Sequence, residues 1–145
     1  MLEKATLYFD DIYVGLEFPP LTFELTEEKV KNYMAAVGDP NPIYRDKVLP
    51  GDGGIGVIPA PPTMAALFIL QSYKEYVESP PGGVHAGQYF KFIKPFYMGE
   101  TLYVKARVTD KYIKKERKYV IIETLAKGAG EQTKVNSVMT IIWAG

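Results

Sequence analysis

The sequence predicts an α+β fold in which an antiparallel sheet wraps around a buried central helix. The helix is predicted from about Thr63 to Val77, because its first half is apolar on nearly every side and such helices are buried. After Ser79–Gly83 the apolar period changes to two, which is typical of strands. Four segments follow this pattern: Val84–Ile93, Thr101–Asp110, Tyr119–Lys127 and Lys134–Trp143. Their succession predicts a four-strand antiparallel meander after the helix.

A shorter helix is predicted between Thr26 and Gly38, after an extended segment at Leu21–Leu25. Thr26 is a suitable N-cap, and Gly38 suits the left-handed position that ends a helix. Apolar residues at helical spacing define one buried face: Val30, Tyr33, Met34 and Val37. Residues 47–62 are rich in glycine and proline and are predicted to form a structured loop before the central helix.

The composition limits the classes of function that are open to the chain. Its 145 residues suffice for one core, so we expect a single domain over residues 1–145. Lysine plus arginine equals aspartate plus glutamate at 17 each, which gives no overall field toward nucleic acid or membrane. The absence of cysteine and the single histidine argue against a metal site, and no cofactor is expected. No apolar leader is visible, and the run Met64–Leu70 is too short to span a bilayer, so a soluble cytoplasmic protein is expected.

The most informative stretch is the polar loop Asp39–Asp46, with the sequence DPNPIYRD, which follows the first helix. It resembles the hydratase motif of the MaoC-like (R)-specific enoyl-thioester hydratases and dehydratases. In that motif, Asp-x-Asn-Pro-aliphatic-His supplies an aspartate and a histidine as the acid–base pair. The aspartate is present as Asp39, whereas Tyr44 stands at the position of the histidine.

Other segments extend this resemblance over nearly the whole chain. Phe9–Phe18 resembles the opening strand of the family, Pro59–Met64 the start of its central helix, and Val84–Pro95 its long central strand. The last two look most like the N-terminal-type MaoC dehydratase modules, several of which also lack the histidine and pair with a partner that has it. The resemblance implies a single hot-dog fold, and a substrate that is an acyl or enoyl thioester of coenzyme A or of acyl carrier protein.

Hydration of an enoyl thioester needs a base for water, an acid for the α-carbon, and donors to the thioester oxygen. On the resemblance, Asp39 is the base and Asn41 positions the water or the aspartate, although such residues also favour a simple Asx turn. A phenol of pKa near ~10 is a poorer proton shuttle at neutral pH than an imidazole near ~6.5. Tyr44 is therefore expected to donate a hydrogen bond or a proton, or else to pack its ring over the loop.

The start of the central helix is the second part of the predicted site. Backbone N–H groups at Thr63, Met64 and Ala65 are expected to be free to bind a thioester oxygen. Because Pro62 has no N–H, this contact falls to Thr63 or Met64. The alternative is that the protein itself satisfies these groups, as every buried helix must do.

His85, the single histidine, has a functional and a structural interpretation. It is predicted on the strand face opposite the apolar residues Val84, Ala86, Phe90 and Phe92, together with Tyr89 and Lys91. There it is a surface residue, unless it reaches the substrate cleft in place of the missing histidine.

A basic cluster has two interpretations as well. It flanks a hairpin turn predicted at Lys111–Lys118 and comprises Lys111, Lys114, Lys115, Arg117 and Lys118. These residues either contact coenzyme A phosphates or an acidic carrier protein, or they belong to a solvated turn.

Three functions remain open on these residues. The first is a hydro-lyase of (R)-3-hydroxyacyl and enoyl thioesters, or a subunit of one. The second is a non-catalytic acyl-binding hot-dog subunit beside a His-bearing partner, and the third is a hot-dog thioesterase with Asp39 as its base. Because an open sheet leaves edge strands that need covering, we expect a homo-oligomer or a heteromer with a similar hot-dog subunit.

Overall fold

A computed structural model describes residues 4–44 and 58–145, and it contains a five-stranded antiparallel sheet with a helix across one face. The two α-helices are α1 (Glu27–Val37) and α2 (Ala65–Lys74), and α2 continues a 3-10 turn at Pro62–Met64. The strands are β1 (Ala5–Thr6), β2 (Leu21–Glu24), β3 (Val77–Glu78), β4 (Val84–Phe92), β5 (Thr101–Lys114), β6 (Arg117–Lys127) and β7 (Thr133–Trp143). β1 and β3 form a separate parallel pair. Arg45, Asp46 and the predicted loop as far as residue 57 lie outside the described residues.

Alternation along the strands gives the sheet one buried face, as the period-two pattern predicts. Tyr103 on β5 is exposed, whereas its neighbours on the other face are buried: Leu102, Val104, Ala106 and Val108. The buried face covers α2, whose Phe68 lies in the core with the rings of Phe23 and Phe96 at centroid separations of 5.4 and 5.7 Å. The predicted wrapping of a sheet around a central helix is confirmed.

The order of the strands differs from the predicted meander. The sheet runs β2-β5-β6-β7-β4, so β4 pairs with β7 and not with β5, which follows it in the chain. Residues 93–100 cross between them, and Phe96 in this crossing is buried. Backbone hydrogen bonds join the crossing to the segment before α2, from Ala60 N–H to the Phe96 carbonyl at 2.9 Å and from Met98 N–H to the Ile58 carbonyl at 2.7 Å. These contacts place β4 at the edge of the sheet.

The predicted opening strand at Phe9–Phe18 is wrong. Phe9–Asp11 is a 3-10 turn, and within residues 9–18 the one β-bridge is made by Glu17 with β5. Lys111 Nζ donates hydrogen bonds to the carbonyls of Phe9 and Ile12 at 2.7 and 2.6 Å, which holds the turn against the sheet. The edge strand on this side is β2, paired with the beginning of β5.

The first helix has the predicted termini but a narrower buried face. Thr26 Oγ1 accepts a hydrogen bond from Lys29 N–H at 3.2 Å, and Gly38 ends the helix with a φ of 67°. Val30 and Met34 are buried as predicted. Val37 is 53% exposed, because it lies in the last turn, where the chain leaves the core.

The central helix is shorter than predicted and is not covered on every side. It ends at Lys74, and Val77 instead pairs with Ala5 in the parallel pair. Leu67 is 44% exposed, so an apolar residue in this helix is not necessarily buried. Neither helix of residues 4–44 and 58–145 has the length and hydropathy of a transmembrane span.

The β5–β6 hairpin has a tighter turn than predicted. The strands continue to Lys114 and resume at Arg117, which leaves Lys115 and Glu116 as the turn, with φ values of 49° and 65°. Lys111 therefore belongs to β5.

Candidate active site

The loop after α1 begins with two consecutive Asx turns. Asp39 N–H donates to the Met34 carbonyl at 3.1 Å, which fixes the aspartate directly beyond the helix end. Asp39 Oδ1 accepts from Asn41 N–H at 3.0 Å, and Asn41 Oδ1 accepts from Ile43 N–H at 3.1 Å. The turn expected from these residue types is thus present. The side-chain oxygen of Asn41 is used within the loop, so this residue holds the loop in shape. Within the described part of the chain, no hydrogen bond engages the second carboxylate oxygen of Asp39.

Tyr44 is the last described residue of this loop, and it is half-buried against the core. Burial raises the pKa of the Tyr44 phenol above its ordinary value, and the negative charges of Asp39 and of an ionised Tyr33 raise that pKa further. The phenol is therefore neutral at physiological pH and is a hydrogen-bond donor near the Asp39 carboxylate. The ring of Tyr44 packs against the core, as one of the two interpretations of this residue predicts, and a polar role for its hydroxyl stays a prediction.

The start of the central helix differs from the prediction, because two of the three N–H groups that were expected to be free have acceptors within the helix start. Met64 N–H donates to the Pro61 carbonyl at 3.0 Å, and Ala65 N–H donates to the carbonyls of Pro62 and Thr63. The expectation that Met64 and Ala65 offer free N–H groups is wrong, because the 3-10 turn uses both, and the Met64 side chain is fully buried. Among residues 4–44 and 58–145, no backbone carbonyl accepts from Thr63 N–H.

Thr63 also links the helix start to α1. Its hydroxyl lies 2.7 Å from the hydroxyl of Tyr33, and both residues are in reach of solvent. Tyr33, which the helical pattern predicts in the core, is half-buried, and its hydroxyl reaches the start of α2. The hydroxyl of Tyr33, on a helix face that is otherwise apolar, was the signal in the sequence that this residue could reach a polar partner.

Two cavities meet at Tyr44. The first, of about 650 Å³, lies along the end of α1 and is bordered by Lys31, Asp39, Tyr44 and Met98 among others. The second, which we call the apolar groove, has a volume of about 320 Å³. Its lining is mostly apolar and includes Ile43, Tyr44, Pro59, Pro62, Phe92 and Phe96. Tyr44 therefore lies between a cleft that contains Asp39 and the apolar groove.

The face of β4 that carries His85 differs from the prediction. A β-bulge between His85 and Gly87 makes His85 pair with Ile141 of β7, and Gln88 pairs with Met139. Both β7 residues are on the buried face of the sheet, so His85 is on the same face as Phe90 and Phe92 and not opposite to them. The bulge inserts one residue and so reverses the alternation on which the prediction depended.

His85 is far from Asp39 and Tyr44 within one chain. It lies beside Tyr73 and Trp143 near the end of α2, whereas Tyr44 shares the apolar groove with Phe92 at the other end of β4. Six residues of β4 lie between His85 and Phe92, so the two positions are about 20 Å apart. The structure thus brings Asp39, Tyr44 and Thr63 to one region and leaves His85 outside it.

The residues of the basic cluster lie in two different surroundings. Lys111 is used by the 3-10 turn near the N-terminus, and its ammonium also lies 4.3 Å from the centre of the Phe9 ring. Lys114 and Arg117 form the last pair of the β5–β6 hairpin, which ends beyond Trp143, the final residue of β7. That hairpin end is on the side of α2 opposite to Thr63, so the cluster does not border the Asp39 loop of the same chain.

The chain belongs to the FAS1-like, dehydratase domain region family, whose model matches residues 13–134. Among its relatives is a UPF0336 protein of Streptomyces avermitilis, 31% identical over 106 residues, which are 68% of this chain and 71% of the relative. A UPF0336 protein of Thermobifida fusca is 25% identical over 138 residues, covering 90% and 91% of the two chains.

Solved structures of similar shape confirm the hot-dog fold. R-hydratase PhaJ1 from Pseudomonas aeruginosa superposes with a TM-score of 0.78 at 20% identity, covering 94% of this chain and 84% of the hydratase. A MaoC-like dehydratase from Rhodospirillum rubrum gives 0.76 at 18% identity, with 96% and 98% coverage. The HadBC (3R-hydroxyacyl-ACP dehydratase) complex from Mycobacterium tuberculosis gives 0.77 at 19% identity, with 89% and 96% coverage. At these identities the likeness concerns the fold alone.

Proposed function

We propose that the chain is a hydro-lyase, or a subunit of one, that interconverts (R)-3-hydroxyacyl and enoyl thioesters. The observation that carries this proposal is the placement of Asp39 and Tyr44 in one loop, with a cleft along α1 on one side and the apolar groove on the other. Thr63 at the start of α2 faces the same region through its contact with Tyr33. A base, a neutral donor and a backbone N–H beside an acyl-sized groove are the parts that such a reaction needs.

In the hydration direction, each group has a distinct task. Asp39 accepts a proton from water as the water oxygen bonds to the β-carbon of the enoyl group. The π-electron pair moves toward the thioester oxygen, which accepts a hydrogen bond from Thr63 N–H. The pair then returns to bond, at the α-carbon, the proton that Asp39 took from water, so that Asp39 is again a carboxylate. Tyr44 donates a hydrogen bond beside Asp39, but its raised pKa makes it a slow source of that last proton. Dehydration is the reverse of these steps.

A second candidate is an acyl-binding subunit whose His-bearing partner carries out the chemistry. Tyr44 in place of the histidine favours this role, because a phenol is poorly matched to proton transfer at neutral pH. Two structures of similar fold are complexes of different chains, HadBC and ChsH1–ChsH2 from Mycobacterium tuberculosis, which supports a heteromeric arrangement for this chain. Whether the chain is a hydro-lyase or an acyl-binding subunit, the apolar groove would hold the acyl chain of the substrate.

The test is hydration of crotonyl-CoA by the purified wild-type chain and by variants of the loop. Asp39→Asn should reduce kcat/KM by at least about a hundredfold, the size of effect expected for loss of a general base. Asp10→Asn is the matched control, since Asp10 is an exposed aspartate outside the loop. Tyr44→Phe keeps the ring and removes the hydroxyl, so a fall in rate with unchanged thermal stability identifies the donor.

The outcomes separate the two candidates. Asp39→Asn activity within a few-fold of wild type would leave Asp39 as a turn residue and reject the hydro-lyase mechanism. A wild-type chain that is inactive alone, but active after mixing with a His-bearing hot-dog subunit, establishes the second role.

A further inference from the structure

The hydroxyl groups of Tyr33 and Thr63 form a hydrogen-bonded pair between α1 and the start of α2, with their oxygen atoms 2.7 Å apart. The ring of Tyr33 packs against the core, which fixes the position of its hydroxyl. Thr63 is exposed, and among residues 4–44 and 58–145 its hydroxyl bonds no other group. The pair is therefore held in place by Tyr33 and is open to a ligand on the side of Thr63.

The pair lies beside both cavities of the candidate site. Pro62, the neighbour of Thr63 in the chain, lines the apolar groove. Met34, the neighbour of Tyr33, lines the cleft along α1. The negative charge of an ionised Tyr33 also raises the pKa of the Tyr44 phenol, as expected of groups that lie close together. On the proposed function, a thioester whose acyl chain occupies the apolar groove has its carbonyl group in this region.

We propose that the Thr63 hydroxyl is a second donor to the thioester oxygen, beside the Thr63 N–H, and that Tyr33 is the positioning residue that orients this hydroxyl. The inference rests on the proposed function and adds a side-chain donor to the backbone donor. No proton is transferred in this step, because both hydroxyl groups keep their hydrogens throughout.

The chemistry of the two hydroxyl groups sets the direction of the bond between them. A phenol is more acidic than an aliphatic alcohol, so Tyr33 O–H donates and Thr63 Oγ1 accepts. Thr63 then keeps its own hydroxyl hydrogen for a third group. Donation from Tyr33 also polarises the Thr63 hydroxyl and makes it a stronger donor, because hydrogen bonds in a chain strengthen one another.

Both donors of Thr63 can serve one acceptor. The amide nitrogen and the hydroxyl oxygen of a threonine are attached to neighbouring carbon atoms, so their hydrogens can converge on a single oxygen. The thioester oxygen is the acceptor that needs them, because it gains negative charge as water adds to the β-carbon. Of the two donors, only the hydroxyl is removed by an isosteric substitution, which makes its contribution measurable.

The first measurement is hydration of crotonyl-CoA by variants of Thr63 that keep the backbone N–H. Thr63→Val retains the β-branched shape and should lower kcat by about tenfold to a hundredfold, the range for loss of a hydrogen bond to a charged group. KM should change by less than about twofold, since the oxygen becomes charged only toward the transition state. Thr63→Ser restores a hydroxyl and should recover most of the lost rate.

The role of Tyr33 is tested by Tyr33→Phe, which should lower kcat by about two- to tenfold because the Thr63 hydroxyl is then free to turn away. In the Thr63→Val background the same change should have no further effect, because Tyr33 acts through Thr63. Tyr76→Phe is the matched control. Tyr76 is also half-buried, and its hydroxyl donates to the Pro20 carbonyl at 2.8 Å, beyond the other end of α2. Its loss should affect thermal stability to a similar extent and leave kcat unchanged.

The second measurement does not require turnover. Cinnamoyl-CoA, isotope-labelled at the thioester carbon, is bound to each variant, and the infrared stretching frequency of its carbonyl is recorded. Two donors to the oxygen lower this frequency more than one donor does, so Thr63→Val should raise it relative to wild type, and Thr63→Ser should not. Asp39→Asn should leave the frequency unchanged, since Asp39 acts on the water and not on the thioester oxygen.

The outcomes distinguish this proposal from the proposed function. A Thr63→Val variant with the kcat of wild type overturns the second donor, and the hydro-lyase function stands if Asp39→Asn is inactive. Effects of Tyr33→Phe and Thr63→Val that multiply in the double variant overturn the role of Tyr33. If the wild-type chain has no hydratase activity, the carbonyl frequencies decide alone. A difference between wild type and Thr63→Val then supports the second donor, and equal frequencies overturn it.

Discussion

The ion pair between Lys134 and Glu100 provides the sharpest test of how the site is held in place. Lys134 is 6% exposed, and its Nζ lies 3.3 Å from Glu100 Oε1 and 3.0 Å from the Pro95 carbonyl that it donates to. The pair ties β7 to the crossing at residues 93–100, and that crossing bonds the segment before α2. Loss of Lys134 should therefore weaken both the fold and the support of Thr63.

The magnitude follows from burial. At 3.3 Å and an effective dielectric of about 20, the attraction is about 5 kcal/mol, and desolvation of both charges offsets most of it. Glu100 Oε1 is buried and has no hydrogen bond within the described part of the chain, so Lys134→Ala leaves a carboxylate without a counterion. Removal of one partner from a buried pair costs about 3–5 kcal/mol.

Urea denaturation at neutral pH measures this loss as a change in the free energy of unfolding. Lys31→Ala is the matched control, since Lys31 also pairs with a glutamate, but at 66% side-chain exposure, and should change stability far less. The double variant of Lys134→Ala with Glu100→Gln should recover part of the loss, because no buried charge remains. Equal effects of Lys134→Ala and Lys31→Ala, or strict additivity in the double variant, would refute the reasoning.

Two further predictions concern the core around α2. Phe68→Ala removes a fully buried ring and should lower the free energy of unfolding by about 3–5 kcal/mol, whereas Leu67→Ala, at an exposed apolar position of the same helix, should stay within about 1 kcal/mol in urea titrations. Burial raises the pKa of Tyr73 to about 12. The pKa of this tyrosine in the unfolded chain is near ~10. Its contribution to the free energy of unfolding is therefore complete below pH 10 and is lost as pH rises toward 12, by about 3 kcal/mol at most. Denaturation from pH 8 to 11.5 should show this decline in wild type and less of it in Tyr73→Phe, and parallel curves would contradict the assignment.

The sequence predicted elements better than their arrangement. Alternation along β5 reports which residues face the core, and the Thr26 and Gly38 caps are set by local backbone chemistry. The position of β4 beside β7 depends on contacts between distant residues, such as Phe96 in the core and the bonds from the crossing to Ile58 and Ala60. A pattern of neighbouring residues contains no information on those contacts, so a meander was the simpler prediction.

The same distinction applies to the candidate site. The loop at Asp39 was predictable because aspartate and asparagine form Asx turns from their own side chains. The face of His85 was not, because a single inserted residue in β4 reverses the alternation without changing the residue types around it. The free N–H groups of the helix start were reduced to that of Thr63 by a 3-10 turn, whose tighter hydrogen bonds the proline-rich sequence does not distinguish from an α-helical start.

Tyr44 connects these observations, because its ring and its hydroxyl have separate consequences. The ring borders both the cleft that contains Asp39 and the apolar groove, a position that a smaller imidazole fills less completely. The hydroxyl stays protonated at neutral pH because burial and the Asp39 charge raise its pKa and disfavour the phenolate, so it is able to donate a hydrogen bond. On the proposed function, Asp39 moves the proton and Tyr44 donates a hydrogen bond, and the variants Asp39→Asn and Tyr44→Phe separate these two roles.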